Sequence, residues 1–196
     1  MIKRVLLFTC VCTLAVLSTS AQTFRNKLFP SNEISGEEFK KQAINKIQSL
    51  QNYLEVLVKN DQNTSKTAKN AAVENAVRLF SDENRIVEVN STSRPKPRKL
   101  KVRQYLVKLA VLSEKVYDKV TIRFYDVFFI SNFKKRPDGK YEAVVSMSQK
   151  FTGEGDRPYS DVVQKNIQII LVPIQKPEGT YYEVKLGDIS ITDNNI

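Results

Sequence analysis

Between Lys119 and Ile191 the chain alternates apolar and polar residues, and this period of two limits its fold more than any other feature. Val120, Ile122, Phe124, Asp126, Phe128 and Ile130 share one parity, and Thr121, Arg123, Tyr125, Val127, Phe129 and Ser131 share the other. Successive side chains on a strand point to opposite faces, so such a run is a strand lying against a core. Pro137-Asp138-Gly139 supplies hairpin-turn chemistry. The return strand alternates Tyr141, Ala143, Val145, Met147, Gln149 and Phe151 against Glu142, Ser146, Ser148 and Lys150. Ile167, Ile169 and Leu171 mark a third strand, and Lys176-Pro177-Glu178-Gly179 turns into a fourth with Tyr182, Val184 and Leu186. Gly187-Asp188 then breaks the alternation before Ile189 and Ile191, as a bulge would.

Ahead of this meander the period changes to that of a helix. Ser35-Gly36-Glu37-Glu38 has the form of a capping box, and Phe39, Ala43, Ile47, Leu50, Leu54 and Leu57 follow at steps of three and four. After a polar turn over 60–65, Ala68, Ala72, Val73, Ala76, Val77 and Phe80 mark a second helix. Ile86-Val87-Glu88-Val89 is a short strand, and 94–99, with Pro95 and Pro97, reads as an exposed connection. Val102, Tyr105, Leu106, Leu109 and Leu112 mark a third helix. The fold class is therefore α+β, with three N-terminal helices packed on a curved, mainly antiparallel sheet of four to five strands, cone-like in outline.

Four segments are expected. Residues 1–21 read as a signal peptide: Lys3 and Arg4 precede the apolar run Val5 to Leu17, and Thr19-Ser20-Ala21 supplies a small-residue cleavage site. The apolar run is shorter than the roughly 20 residues of a spanning helix, so no membrane span is expected after cleavage. Residues 22–34 are a leader, 35–193 one domain, and 194–196 a tail. Both cysteines, Cys10 and Cys12, lie in the first segment, and the sequence has no His. The exported chain would then carry neither thiol nor imidazole. That excludes ordinary zinc sites, Cys nucleophiles and His-based triads, and no metal or cofactor is expected. Export without disulfides suits a bacterial envelope, periplasmic or secreted, which makes the sequons at Asn63 and Asn90 chance matches.

The order of elements, the Tyr105-Leu106 helix, Tyr141, Gln149-Lys150-Phe151, Tyr159-Ser160-Asp161 and Leu186-Gly187-Asp188-Ile189 together resemble the nuclear transport factor 2-like superfamily, the cystatin-like cone folds. The resemblance covers residues 35 to 193 and rests on topology more than on a diagnostic motif. It implies a cone with an internal cavity, enzyme and non-enzyme members alike, and dimers formed through the outer sheet face. Where enzymes of that superfamily rely on a His, this chain has none, so a dehydratase of that sort is not expected. Fold alone does not assign a reaction.

Two constellations remain. If the first hairpin pairs residues whose numbers sum to 275, Asp126 lies opposite Gln149 and Phe128 opposite Met147, leaving polar groups on the concave face. Asp126, Tyr105, Gln149 and Lys165 are then the candidate ligand residues, with Asp126 the candidate general base. Arg94, Lys96, Arg98, Lys99, Lys101 and Arg103 put six cations in ten residues, a candidate anion site. The expected function is an exported, non-enzymatic binding or protein-interaction module for an unidentified small molecule or protein. A homodimer through the outer sheet face is its expected assembly, and nucleic acid is not an expected partner. The alternatives are a cofactor-free isomerase or lyase with Asp126 as base, and an envelope protein holding anionic polymers through the basic stretch.

Overall fold

A computed structural model describes residues 33–34, 36–60, 64–90, 96–177 and 179–192. The expected signal peptide, most of the leader and the tail lie outside the described residues. Three helices, α1 (Glu37–Val58), α2 (Lys66–Arg78) and α3 (Val102–Lys115), accompany a curved, open, mixed sheet. Its strands are β1 (Glu33–Ile34), β2 (Ile86–Val89), β3 (Arg98–Lys101), β4 (Lys119–Phe129), β5 (Phe133–Lys135), β6 (Tyr141–Glu154), β7 (Tyr159–Lys176) and β8 (Gly179–Ile191). The spatial order is β1-β5-β6-β7-β8-β2-β3, with β4 also on β6. No helix among the described residues is long and apolar enough to cross a membrane.

The expected stripe of α1 is buried at every position from Phe39 to Leu57, because 3.6-residue periodicity keeps those side chains on one face. Ser35, expected as its cap, lies outside the described residues; Gly36 occupies the N-cap position with no side-chain cap. At α2, Ser65 does cap, its Oγ accepting from the Ala68 N–H at 3.1 Å. The helices are tied together by Lys69 Nζ to Glu114 Oε1 at 3.0 Å and by Ser113 Oγ donating to the Leu57 carbonyl at 3.2 Å. Against them lie Ala143, Val145 and Met147 of β6, Ile167, Ile169 and Leu171 of β7, and Val184 and Leu186 of β8, all buried.

Three expectations need correction. Among the described residues the sheet has eight strands, not four or five, and the helices do not all precede it. Of the short strands, β2 was legible as an apolar run, whereas β1, β3 and β5 escaped because two to four residues carry no measurable period. One of them, β3, begins inside the stretch expected as an exposed connection, taking its last two residues, Arg98 and Lys99, into the sheet and pairing Arg98 with Val89 and Lys101 with Ile86. Another, β1, takes Glu33 and Ile34 into the sheet ahead of the expected boundary at 35, beside Lys134 and Phe133.

The third correction is the register of the first hairpin. Phe124, not Asp126, pairs with Gln149, and Phe128 pairs with Ser146. Between these pairs β4 bulges, and Asp126 has φ +52°. Asp is among the few non-glycine residues that tolerate this left-handed region, and one extra residue in a strand reverses the facing of everything after it. Val127 and Phe129 consequently pack on the core, and Phe128 turns outward, 51% exposed. Tyr125, Phe128 and Val162 stay exposed on the convex face, the face on which the sequence reading put a second copy.

The bulge expected at Gly187-Asp188 is present, facing Gln168 between the pairs Ile167–Ile189 and Ile169–Leu186. A Cβ on Gly187 would come within 2.8 Å of Gln168 Cβ, so only glycine lets the two strands approach this closely. The freed Asp188 carboxylate accepts from the Ile86 N–H at 2.7 Å and seats β2 parallel to β8.

Candidate functional site

Two neighbouring features of β6 and β7 build a cavity. The turn after β6 sets Gln149 opposite Val163, Phe151 opposite Asp161 and Gly153 opposite Tyr159. Because the side-chain period is two, Gln149, Phe151, Asp161, Val163 and Lys165 line the same hollow. From above, α3 contributes Tyr105, Lys108, Leu109 and Leu112, one helical face by spacing. Val89 and Asn90 at the end of β2, Arg98 and Leu100 of β3, Tyr117, and the Arg157-Pro158 turn complete the walls. The hollow is half open to solvent, with a volume of about 670 Å³, within the range of small-molecule sites.

Aromatic rings form much of the wall. Tyr117 and Phe151 meet edge to face at 5.9 Å between centroids, and Phe151 and Tyr159 are 6.0 Å apart. Tyr117 lies so close over Gly153 that a Cβ there would sit 2.6 Å from its ring. A residue without a side chain is thus what allows Tyr117 to reach the cavity.

Three buried or half-buried polar groups of the lining have distinct surroundings. The Tyr105 hydroxyl hydrogen-bonds to Gln149, yet burial pushes its pKa up to about 12. Tyr159 Oη donates to Asp161 Oδ2 at 2.7 Å, and burial, then that hydrogen bond and the Asp161 charge, raise its pKa to about 12. Lys165 is only 3% exposed; its Nζ donates to the Glu88 carbonyl at 2.8 Å. Burial brings its pKa down to about 8, against the attraction of Asp161 and Glu88. Arg98, Lys108 and Arg157 are exposed parts of the lining. Four cations therefore face this space, with Asp161 the one carboxylate among the lining residues.

Of the four ligand residues expected from the sequence, Tyr105, Gln149 and Lys165 line this one cavity. Asp126 does not: it sits exposed on the β4 bulge, away from the cavity wall. The parity argument failed there because it assumed an unbroken strand. Asp161, Tyr159, Tyr117 and Phe151 were not singled out as site residues. The observed pairing of Phe151 with Asp161 and Gly153 with Tyr159 is centred on Asp156; Gly153-Glu154-Gly155-Asp156 marks the turn but not that centre, so the facing of the β7 pair was not legible in the sequence.

The basic stretch does not form one free patch. Arg94 lies outside the described residues. Lys99 pairs with Glu88 at 3.5 Å, Lys101 donates to Asn84 Oδ1 at 2.8 Å, and Arg103 holds Glu74 with two guanidinium nitrogens and Glu83 with a third. The hydrogen bond from Arg103 keeps the Glu74 carboxyl below its usual range. Lys96 and Arg98 are left exposed without an ion pair among the described residues. A second hollow of about 570 Å³ runs along Lys101, Arg103 and Glu83 and shares Arg98 and Lys108 with the first.

No protein-family model matches the sequence and no curated protein is significantly similar to it. Among solved structures it is similar to ActVI-ORFA from Streptomyces coelicolor, at 12% identity over 81% of this chain and 99% of that one, with a TM-score of 0.46. A periplasmic fragment of TraM is 11% identical over 76% and 96%, with a TM-score of 0.42. The C. albicans Mtr2-Mex67 M domain complex is 13% identical over 81% and 100%, with a TM-score of 0.38. At such scores the likeness extends to the general layout and assigns no activity.

Proposed function

We propose that this is an exported binding module that holds a small, largely apolar molecule in the cavity between α3 and the β6–β7 hairpin. The observation that carries the reading is the cavity itself: about 670 Å³, with apolar and aromatic walls and a few convergent polar groups, the combination by which small-molecule sites are recognised. The isomerase or lyase alternative loses the residue on which it rested, since Asp126 is exposed on the bulge. The anionic-polymer alternative is weakened by the pairing of Lys99, Lys101 and Arg103 with neighbouring residues. Export is supported by the basic, apolar and small-residue order of residues 1–21.

The test is a titration with N-phenyl-1-naphthylamine, a neutral apolar fluorophore, against the wild type and Val163→Trp, which fills the cavity from β7. Saturable binding to the wild type and its loss in a folded Val163→Trp are expected. A wild type that gives no saturable signal, or a variant that binds as the wild type does, would overturn the reading.

A further inference from the structure

The cavity's ammonium group suggests what its ligand must carry. Lys165 is buried, its Nζ donates to one partner, the Glu88 carbonyl, and no carboxylate among the described residues forms an ion pair with it. An ammonium has three donors, and a buried charge hydrogen-bonded to one neutral carbonyl, with Asp161 and Glu88 attracting it only from beyond ion-pair distance, is under-compensated. Asp161, the one carboxylate of the lining, is already engaged by the Tyr159 hydroxyl. Arg98, Lys108 and Arg157 around the same space form no ion pair among the described residues either. Such a distribution of charge repels cations and attracts an anion attached to an apolar body.

We infer that the ligand is a small amphipathic acid, whose anionic head pairs with Lys165 and whose apolar body lies against Tyr105, Tyr117, Phe151 and Tyr159. This rests on the cavity being a ligand site, as proposed above. The exposed cations draw the anion toward the cavity, a contribution screened by salt. Lys165 supplies the short-range contact, because a charge-assisted hydrogen bond in a water-poor site is the strong kind.

Two fluorophores with the same aromatic skeleton separate the two claims: N-phenyl-1-naphthylamine, which is neutral, and 8-anilino-1-naphthalenesulfonate, which adds the anionic group. The wild type is expected to prefer the sulfonate by about ten- to a hundredfold, and Lys165→Met, which keeps the length and removes the charge, to bind both alike. If neither probe binds, the cavity is not a ligand site, and both readings fall. If the wild type binds both equally, the ligand site stands and the acid falls. If Lys165→Met keeps the preference, the exposed cations account for it, and the inference is overturned.

A pH series on the wild type gives the same answer should that variant not fold. Burial holds the Lys165 proton loosely, so the preference should fall at least about tenfold between about pH 7 and about pH 10. The other titratable or charged groups that meet this space are Arg98 of β3, Lys108 and Tyr105 of α3, Glu88 of β2, Tyr117, Arg157, and Tyr159 and Asp161 of β7. The tyrosines Tyr105 and Tyr159 ionise only toward pH 12, and the arginines stay charged throughout. Lys108 is exposed, and its attraction is of the long-range, salt-screened kind. A preference that stays flat over this range, or one abolished at neutral pH by moderate salt alone, overturns the inference.

Discussion

Lys165 is a residue whose chemistry opposes the fold that contains it. Its pKa in the folded protein, about 8, lies below the 10.5 of an ordinary lysine, and burial is the main cause. Between those values the unfolded chain binds the proton and the folded chain releases it, so this group's contribution makes stability rise with pH across that window. Below about pH 8 both states are protonated and the penalty is complete. Lys165→Met should therefore be more stable than the wild type at pH 7, by on the order of 1 to 3 kcal/mol. The gap should close toward pH 10.5, and urea unfolding at a series of pH values reads it directly. A variant less stable at every pH would mean that the bond to the Glu88 carbonyl outweighs the cost of burying the charge. Above about pH 10 both proteins should weaken together, because Tyr105 and Tyr159, with pKa values raised to about 12, resist ionisation in the folded state. That Lys165 belonged with Tyr105 and Gln149 was legible in the sequence, since residues 149 and 165 take their facing from strand parity and 105 from helical spacing. That no carboxylate among the described residues forms an ion pair with it was not legible, because partners depend on which elements meet in space.

At the scale of the element, β4 shows how a strand can be read correctly as a strand and wrongly as a surface. Its length and position match the alternation; its facing reverses at Asp126, where φ is +52°. An aspartate inside an apolar strand has two readings, a functional acid or a residue suited to the left-handed region, and only the backbone separates them. The bulge has a structural consequence on each side. Before it, Phe124 N–H on the open edge of β4 donates to Gln51 Oε1 of α1 at 2.8 Å, and Arg123 pairs with Glu55 at 2.9 Å, so the helix covers an edge that would otherwise invite pairing. After it, Phe129 turns inward to meet Phe133 at 5.9 Å. Asp126→Asn and Asp126→Gly should change stability by less than about 0.5 kcal/mol, since both residues accept this backbone and the side chain is exposed. Asp126→Val should cost about 1 to 2 kcal/mol, because a β-branched side chain opposes a positive φ. Chemical unfolding of the three variants distinguishes the cases. A large loss in Asp126→Asn would show that the carboxylate, not the backbone, is what the position needs.

The molecule as a whole divides along β6. At its Tyr141 end the cone is packed shut by rings: Phe39 lies 6.2 Å from Phe133 and 6.3 Å from Tyr182, and Tyr141 lies 5.5 Å from Tyr182. At its Gly153 end the rings of Tyr117, Phe151 and Tyr159 surround open space instead. The ten residue steps from Tyr141 to Phe151 put roughly 30 Å between the two clusters, with Ala143, Val145 and Met147 buried in between. Filling and emptying are thus assigned to opposite ends of one sheet, so stability and binding should separate on mutation. Phe39→Ala removes a ring that is 5% exposed and should cost about 3 to 5 kcal/mol, while leaving the affinity for N-phenyl-1-naphthylamine within about threefold of the wild type. Phe151→Ala removes a half-buried ring from the cavity wall; it should cost less than about 2 kcal/mol and weaken the same probe by about tenfold or more. In the double variant the unfolding losses should add to within about 0.5 kcal/mol, as they do for sites this far apart. Strong coupling between the two, or a Phe39→Ala protein that is folded yet no longer binds, would mean that the packed end sets the shape of the open one and that the cavity depends on the whole cone.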